Sequence, residues 1–271
     1  MMRERWARAA AGWEARADVF RRQTMPVSSW MVDAIAPQPG HTVLDLAAGI
    51  GDTGFLAAEL IEPGGTLISS DSVPEMLSAA QRRAAALGVR NVRFRQIDLA
   101  QPIDLEAASV DGVLCRWGYI LLDDPEAALR ETRRILRPGG RLALAAWAGR
   151  EGNPWTVLPT RVLIERGAIE PPPSTPGPGQ FAWAAEGIVA ENLEAAGFVD
   201  YDVQPLDFTM RHPSVEDWWA TARATSLSVR EAQVDDEAEV IAALAQAARE
   251  WTEPDGSLAL PARTWVAAAT G

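Results

Sequence analysis

Between Thr42 and Trp147, short apolar runs alternate with longer amphipathic stretches, and this order constrains the fold more than any other feature of the chain. The runs are Thr42–Leu46, Thr66–Ser70, Val92–Gln96, Val110–Cys115 and Arg141–Ala146, each too short for a stable helix. Between them, Gly51–Ile61, Pro74–Leu87 and Pro125–Leu136 carry helical periodicity. Pro63-Gly64-Gly65, Gly88 and Pro138-Gly139-Gly140 stop those helices. A β-α-β-α order predicts an α/β protein: a mostly parallel sheet with helices on both faces. In such sheets ligands gather at the carboxyl ends of the strands, where the strand order reverses.

The flanks read differently. Residues 1–36 predict two helices: Trp6, Ala9, Trp13, Ala17 and Phe20 share one face, and Trp30, Met31, Ala34 and Ile35 another. After Trp147 the alternation breaks, and the Pro/Gly-rich stretch 171–179 is a loop by composition. A helix is expected over Ala184–Ala196 and a strand over Phe198–Val203. Ser214…Asp217 and Ser228…Glu231 have capping-box spacing, predicting helices near 215–223 and 231–251. Thr264–Ala269 reads as a last strand.

Composition narrows the function classes. At 271 residues and 48% hydrophobic content, one domain with insertions can bury a full core. The single cysteine, Cys115, excludes an intrachain disulfide and a cysteine zinc cluster. The two histidines, His41 and His212, are isolated, so no metal site is expected. A net charge of −12 disfavours nucleic acid as a partner. Arg133, Arg134 and Arg137 cluster, which reads as a solvated helix face. All 25 basic side chains are arginine, a coding bias that suggests a GC-rich bacterial source. No apolar run has membrane-spanning length, and Met1–Arg5 leads into no apolar signal centre, so a cytoplasmic protein is expected, as monomer or homodimer.

The sharpest local signal is Val43-Leu44-Asp45-Leu46-Ala47-Ala48-Gly49-Ile50-Gly51-Asp52, a buried strand running into a glycine turn and a helix. Such a turn suits NAD, FAD and S-adenosylmethionine (SAM) alike. Asp45 favours the last, because a pyrophosphate avoids a neighbouring carboxylate while a sulfonium with an ammonium group tolerates one. Asp71 ends the second strand, twenty residues beyond Gly51. There it can accept bonds from ribose hydroxyls or cap the following helix. Asp98 and Leu99 end the third strand, where an adenine amino group and ring would find an acceptor and an apolar face.

With Cys115-Arg116-Trp117-Gly118-Tyr119 and Ile135-Leu136-Arg137-Pro138-Gly139-Gly140-Arg141 added, the set resembles the class I SAM-dependent methyltransferases. The branch it is most similar to is that of the ubiquinone/menaquinone-biosynthesis C-methyltransferases, strongly over residues 41–147 and more loosely outside them. The resemblance implies a Rossmann-like, mostly parallel seven-stranded sheet with an antiparallel last strand. It implies a single domain: a helical cap at 1–36, a cofactor-binding core at 41–150, and lid or substrate segments at 151–183 and 207–260. It implies that Ala47, Gly49 and Gly51 line the methionine and ribose of SAM and that Asp71 holds the ribose hydroxyls, with Ser72 and Met76 beside the adenosine. It implies that Asp98 and Leu99 frame the adenine, and that Cys115 and Arg116 offer carbonyls to the methionine ammonium. Ala47 replaces the family's usual first glycine, implying a tighter contact. The implied activity is methyl transfer to a small-molecule acceptor at O, N, S or C. An NAD(P)-dependent oxidoreductase and a non-catalytic SAM-binding protein are the alternatives. Trp117, Tyr119 and His212 are the candidates for contact with acceptor: Trp117 by stacking or facing the sulfonium, His212 as a base.

Overall fold

The computed structural model describes residues 2–171 and 177–271. Part of the predicted 171–179 loop, 172–176, lies outside the described residues. The chain divides into two compact units. One comprises Met1–Thr24, Gly149–Pro176 and Asp207–Arg263; the other comprises Met25–Ala148, Gly177–Leu206 and Thr264–Gly271.

The second unit holds the alternating segment. β1 (Thr42–Asp45) is followed by α3 (Asp52–Leu60), β2 (Thr66–Asp71), α4 (Pro74–Leu87) and β3 (Val92–Gln96). Then come β4 (Val110–Arg116), α5 (Pro125–Ile135) and β5 (Leu136–Trp147). Helices α1 (Met2–Ala15) and α2 (Ala17–Ile35) precede them. The sheet order is β3-β2-β1-β4-β5-β7-β6, where β6 is Val199–His212 and β7 is Leu258–Thr270. β1 pairs in parallel with both β2 and β4, Leu44 standing opposite Ile68 on one side and Val113 on the other. β7 runs antiparallel to β5, Leu144 opposite Ala267.

From β1 the chain steps outward to β2 and β3, then returns to β4 and steps the other way to β5. Right-handed crossovers therefore put α3 and α4 on one face and α5 on the other. The order reverses between β1 and β4, and the crevice at the carboxyl ends of such a pair is where sheets of this kind receive ligands. Central strands are buried on both faces, which is why Val43, Leu44, Val113, Leu114 and Ala143 lie in one apolar layer.

The outer elements depart from the sequence reading in specific ways. The first helix break falls at Arg16, so Phe20 belongs to α2, and α2 continues through Pro26. β5 begins at Leu136, not Arg141; Leu136 pairs with Val110, and a register shift beside Gly112 absorbs the Pro-Gly-Gly segment. β6 extends to His212, well past the expected Val203. It contains Pro205, which an edge strand tolerates because the missing N–H need not face a neighbour. β7 starts six residues early, at Leu258 instead of Thr264. The helix expected over 184–196 is shorter, α7 (Ile188–Ala195), because Gly187 turns left-handed with φ of 89° just before it.

Helix α6 (Pro154–Glu165) was not anticipated. α8 (Val215–Thr225) opens on Ser214, whose hydroxyl accepts the Asp217 N–H as predicted. The Ser228…Glu231 spacing misleads: α9 (Leu227–Glu231) starts at Ser226, and α10 (Glu237–Ala247) is capped by Asp236. Among the described residues no helix is long and apolar enough to cross a membrane.

In the first unit, Trp6, Trp13 and Phe20 form a chain of tilted ring contacts, with Trp13 and Phe20 centroids 4.6 Å apart. Gly12 permits the approach of α1 to α8: a Cβ there would lie 2.1 Å from the Ala224 carbonyl oxygen. That neighbour is backbone and cannot rotate away. Gly12→Ala is therefore expected to destabilise the protein by about 1–3 kcal/mol, despite alanine's better helix propensity. A urea unfolding curve checks this; an unchanged midpoint would show that α1 is not held at this distance.

Candidate active site

The turn after β1 is built from three left-handed residues in five: Ala47, Gly49 and Gly51, with φ of 50°, 56° and 91°. Glycine is needed at 51 because a Cβ would meet the Phe55 ring at 2.3 Å. At Gly49 a Cβ would meet nothing within 4 Å, so that backbone faces open space. Successive amides fix the turn to the end of β2: the Ala48 N–H donates to the Ser70 carbonyl, and the Gly49 N–H donates to Asp71 Oδ2 at 2.9 Å. Asp71 Oδ1 accepts the Val73 N–H, also at 2.9 Å. Val73 is the N-cap residue of α4, so Asp71 shapes the turn into that helix without being its cap. Burial raises the Asp71 carboxyl above its ordinary range, and the Val73, Gly49 and Ser72 amides oppose that rise.

Ala47 keeps a left-handed backbone that costs a non-glycine residue roughly 1–2 kcal/mol. Gly118 makes room for it: a Cβ on Gly118 would stand 2.7 Å from both the Ala47 Cβ and the Cys115 sulfur. Leu99 reaches the same point, with Cδ1 3.8 Å from that position. The ends of β1, β3 and β4 thus converge, bringing Ala47, Leu99, Cys115 and Gly118 together. Ser72 is half-buried and Met76 buried in the first turn of α4. Asp98, half-buried, accepts the Ala100 N–H.

Beneath the turn lies a group of buried charges. Asp45 is 1% exposed, and its Oδ2 accepts the Gly54 N–H at 2.8 Å, satisfying one of the open amides at the start of α3. Desolvation is the largest influence on its carboxyl, which is pushed up to about 7; the Gly54 amide and Arg116 pull down, while Asp71 and Asp52 push up. Asp52 Oδ1 accepts from Arg83 of α4 at 2.5 Å, while Asp52 Oδ2 is buried without a partner. Arg116 donates to Ser28 Oγ of α2 at 2.8 Å, and Ser28 Oγ lies 3.0 Å from Thr53 Oγ1. Burial also pulls the Arg116 guanidinium below its ordinary value, with Asp52 and Asp45 opposing.

The remaining candidates separate. Trp117 follows β4 with φ of 62°, a strained setting for a bulky residue. It is held by stacking on Trp147 at 4.1 Å and by donating its indole N–H to Thr264 Oγ1 at 3.1 Å. The Arg116 guanidinium carbon sits 4.9 Å from the Trp117 ring centre. Tyr119 is buried, with its hydroxyl 2.7 Å from Thr132 Oγ1 in α5 and its ring parallel to Trp183. Its phenol is thereby directed into the core. Cys115 is fully buried, and burial drives its thiol far above the ordinary range, so it is no nucleophile. His41 accepts the Gln38 N–H at Nδ1, beside the amino end of β1. In the first unit, His212 is buried with Nδ1 3.0 Å from Asp217 Oδ2, and Arg16 pairs with Asp217 Oδ1 at 2.6 Å. Desolvation lowers the His212 pKa in spite of Asp217. Among the described residues no three His, Cys, Asp or Glu side chains gather as a metal site.

The sequence reading missed Gly118, Ser28, Thr53 and Arg83. Gly118 carried a signal, standing three residues after Cys115 at a strand end. The others meet the site only through contacts 25 or more residues apart in the chain.

A mostly parallel sheet with a left-handed glycine turn at its switch point is a Rossmann-like arrangement, and comparison with known proteins specifies which kind. A family model described as "Methyltransferase domain" matches residues 37–153. Nocamycin O-methyltransferase of Saccharothrix syringae is 34% identical over 199 residues, covering 70% of this chain and 71% of that protein. The ubiquinone/menaquinone biosynthesis C-methyltransferase UbiE of Cellvibrio japonicus is 34% identical over 112 residues, covering 41% of this chain and 45% of that one, so the match spans less than half of that relative. Geranyl diphosphate C-methyltransferase from Streptomyces coelicolor A3(2), solved with Mg2+, geranyl-S-thiolodiphosphate and S-adenosyl-L-homocysteine, is similar in fold. Its TM-score is 0.54 at 16% identity, covering 92% of this chain and 77% of that one. The chain belongs to the SAM-dependent methyltransferases, and its cofactor is SAM.

The turn fits that cofactor, since its backbone at Gly49 opens onto free space beside the Asp71 carboxylate. Asp45 gives the site a pH signature. Its native carboxyl holds a proton up to about pH 7, whereas the unfolded chain releases it near 3.8. Between those values the native state binds more protons, so stability falls as pH rises and levels off above 7. Asp45→Asn keeps an acceptor for the Gly54 amide and is expected to flatten this slope in the ligand-free protein. It should be the more stable form at pH 8, by about 4 kcal/mol at most. Urea unfolding of both proteins from pH 5 to 8 checks this; parallel curves would mean that Asp45 is ionised throughout.

Proposed function

We propose that the chain transfers the SAM methyl group to a small organic acceptor by in-line displacement, with a hydroxyl oxygen as the first acceptor atom to test. The observation that carries the cofactor assignment is the Asp71–Gly49 tie, which puts a carboxylate beside an open left-handed glycine at the switch point. The oxygen acceptor rests on the likeness to nocamycin O-methyltransferase over 71% of that protein's length. Bound SAM supplies an electrophilic methyl on a sulfonium whose positive charge is lost on transfer.

The roles of the chain follow from that chemistry. Asp71 accepts the ribose hydroxyls with the oxygen lone pairs left over from Gly49 and Val73. Ala47, Gly49 and Gly51 let the backbone approach the methionine and ribose, while Ser72 and Met76 border the adenosine. Asp98 accepts from the adenine amino group, and Leu99 packs on the ring. The Cys115 and Arg116 carbonyls take the methionine ammonium. Trp117 stands fixed at the end of β4 as a rigid wall against the transferring group. Aligning two reactants and excluding water accounts for most of such a rate enhancement, so no covalent residue is required.

Removing the Asp71 carboxylate takes away charge-assisted bonds worth roughly 1.5–3 kcal/mol each. Asp71→Ala is expected to weaken SAM binding by at least about tenfold, read by calorimetry. Unaltered affinity would leave Asp71 as a brace of the turn alone. Release of S-adenosylhomocysteine across a panel of phenols, enols and hydroxyl compounds tests the activity and names the acceptor. Failure with every hydroxyl and success with a thiol or amine would overturn the oxygen assignment. Turnover is expected to survive prolonged EDTA treatment; loss with rescue by a divalent ion would place a metal in the reaction.

A further inference from the structure

We infer that Asp45 changes its protonation with the charge of the bound cofactor, so that the chain distinguishes SAM from S-adenosylhomocysteine by one proton. The inference rests on the cofactor reading above and adds a specificity role to the same site. Asp45 is the last residue of β1, directly before the turn at 46–51. It is buried, and the cation acting on it is Arg116, which itself donates to Ser28. One backbone amide, that of Gly54, donates to it. The charged and titratable groups acting on it come from β4, β2 and α3. They are Arg116 and the Cys115 thiol on β4, Asp71 on β2 and Asp52 on α3.

Counting charges shows what is missing. Asp45, Asp52 and Asp71 are three carboxylates; Arg83 and Arg116 are two guanidiniums. With all five ionised, one negative charge remains in a site largely closed to water. Asp52 is held by Arg83 at one oxygen, and its other oxygen is buried without a partner. Asp71 takes two backbone amides, which favour its charged form. Burial raises the Asp71 carboxyl too, but the Val73, Gly49 and Ser72 amides oppose that rise. Asp45 takes one amide, with Arg116 acting on it as the opposing cation, so the extra proton is assigned to Asp45. Its carboxyl, pushed up to about 7, is poised to gain or lose it near neutrality.

SAM, with ammonium, carboxylate and sulfonium, carries a net charge of about +1, and S-adenosylhomocysteine about 0, with the amine protonated in both. A cation above the turn stabilises ionised Asp45, which gives its proton to solvent when SAM binds. On transfer the methyl–sulfur bond breaks, sulfur keeps the electron pair, and the positive charge is gone. Asp45 then draws a proton back from solvent. Because a shift of one pKa unit corresponds to a tenfold change in affinity, SAM gains on its product by up to about tenfold as pH rises through neutrality.

Isothermal titration of the full chain with each cofactor, in phosphate and in Tris at pH 7, counts the protons exchanged. Dissociation constants from pH 6 to 8.5 complete the measurement. SAM is expected to release more protons than S-adenosylhomocysteine, and the ratio Kd(SAH)/Kd(SAM) to rise severalfold or more across the range. In Asp45→Asn the difference in proton release should vanish and the ratio should be flat. Equal proton counts for the two cofactors in the native protein overturn the inference, whatever the variant does. A difference that persists in Asp45→Asn overturns the assignment to Asp45. The infrared band of a protonated carboxyl, present with S-adenosylhomocysteine and absent with SAM, serves if that variant does not fold; identical bands refute the inference. Failure of both cofactors to bind would instead defeat the cofactor reading.

Discussion

The hydrogen bond from the Gly49 amide to the Asp71 carboxylate is the constraint on which the site depends. A turn with three left-handed residues in five has few conformations that hold without external partners. Here consecutive amides of Ala48 and Gly49 are tied to consecutive residues at the end of β2. The parallel register of β1 with β2 sets that height, since Asp45 stands opposite Ser69, two residues short of Asp71. Sheet geometry thereby dictates the turn, and the turn dictates where backbone is exposed to a ligand.

The buried charges around this turn oppose its stability. An ionised carboxylate in an apolar setting is costly, and Asp45 is buried with one backbone amide donating to it. Arg116 compensates at a distance, and by bonding Ser28 it links β4 to α2, while Ser28 in turn meets Thr53 of α3. A site of this design is less stable empty than an apolar packing of the same volume would be. In the ligand-free protein a proton on Asp45 relieves part of that cost, which is why its carboxyl is raised to about 7.

The β-α core from Thr42 to Trp147 was legible because hydrophobic period, glycine stops and strand length agreed there. Residues Pro74 and Gly88 bound α4 in the sequence as they do in the structure. The outer strands were not legible at full length, because Pro205 and Pro261 interrupt the runs that became β6 and β7. Pro205 lies on the edge strand β6 and Pro261 on the part of β7 beyond its pairing with β5, where a missing N–H is tolerated, and position in the sheet is not written in a local run. α6 was missed for a related reason: Pro154 and Pro159 resemble loop residues, although one of them opens the helix at its first position. Within the site, the line of residues Asp45, Gly49, Gly51 and Asp71 was readable from spacing. The matching of Ala47 to Gly118 was not, because it is a contact between two turns 71 residues apart.

Trp117 shows how the end of β4 is made rigid. Its left-handed backbone costs roughly 1–3 kcal/mol, which must be offset by what the indole contacts. A stacked aromatic pair contributes about 0.5–1.5 kcal/mol beyond burial, a hydrogen bond about 1 kcal/mol, and a neighbouring guanidinium adds a cation–π term. These contributions are of the same size as the strain, so Trp147, Thr264 and Arg116 together offset it. Thr264 belongs to β7 and Trp147 to β5, and Thr264 itself donates to the Ala146 carbonyl. The antiparallel pairing of β7 with β5 thus fixes the direction in which the chain leaves β4. That direction sets the heights of the Cys115 and Arg116 carbonyls and the place of Gly118 against Ala47. The antiparallel last strand is therefore part of the site's construction, acting through Thr264 on a turn that it does not itself form.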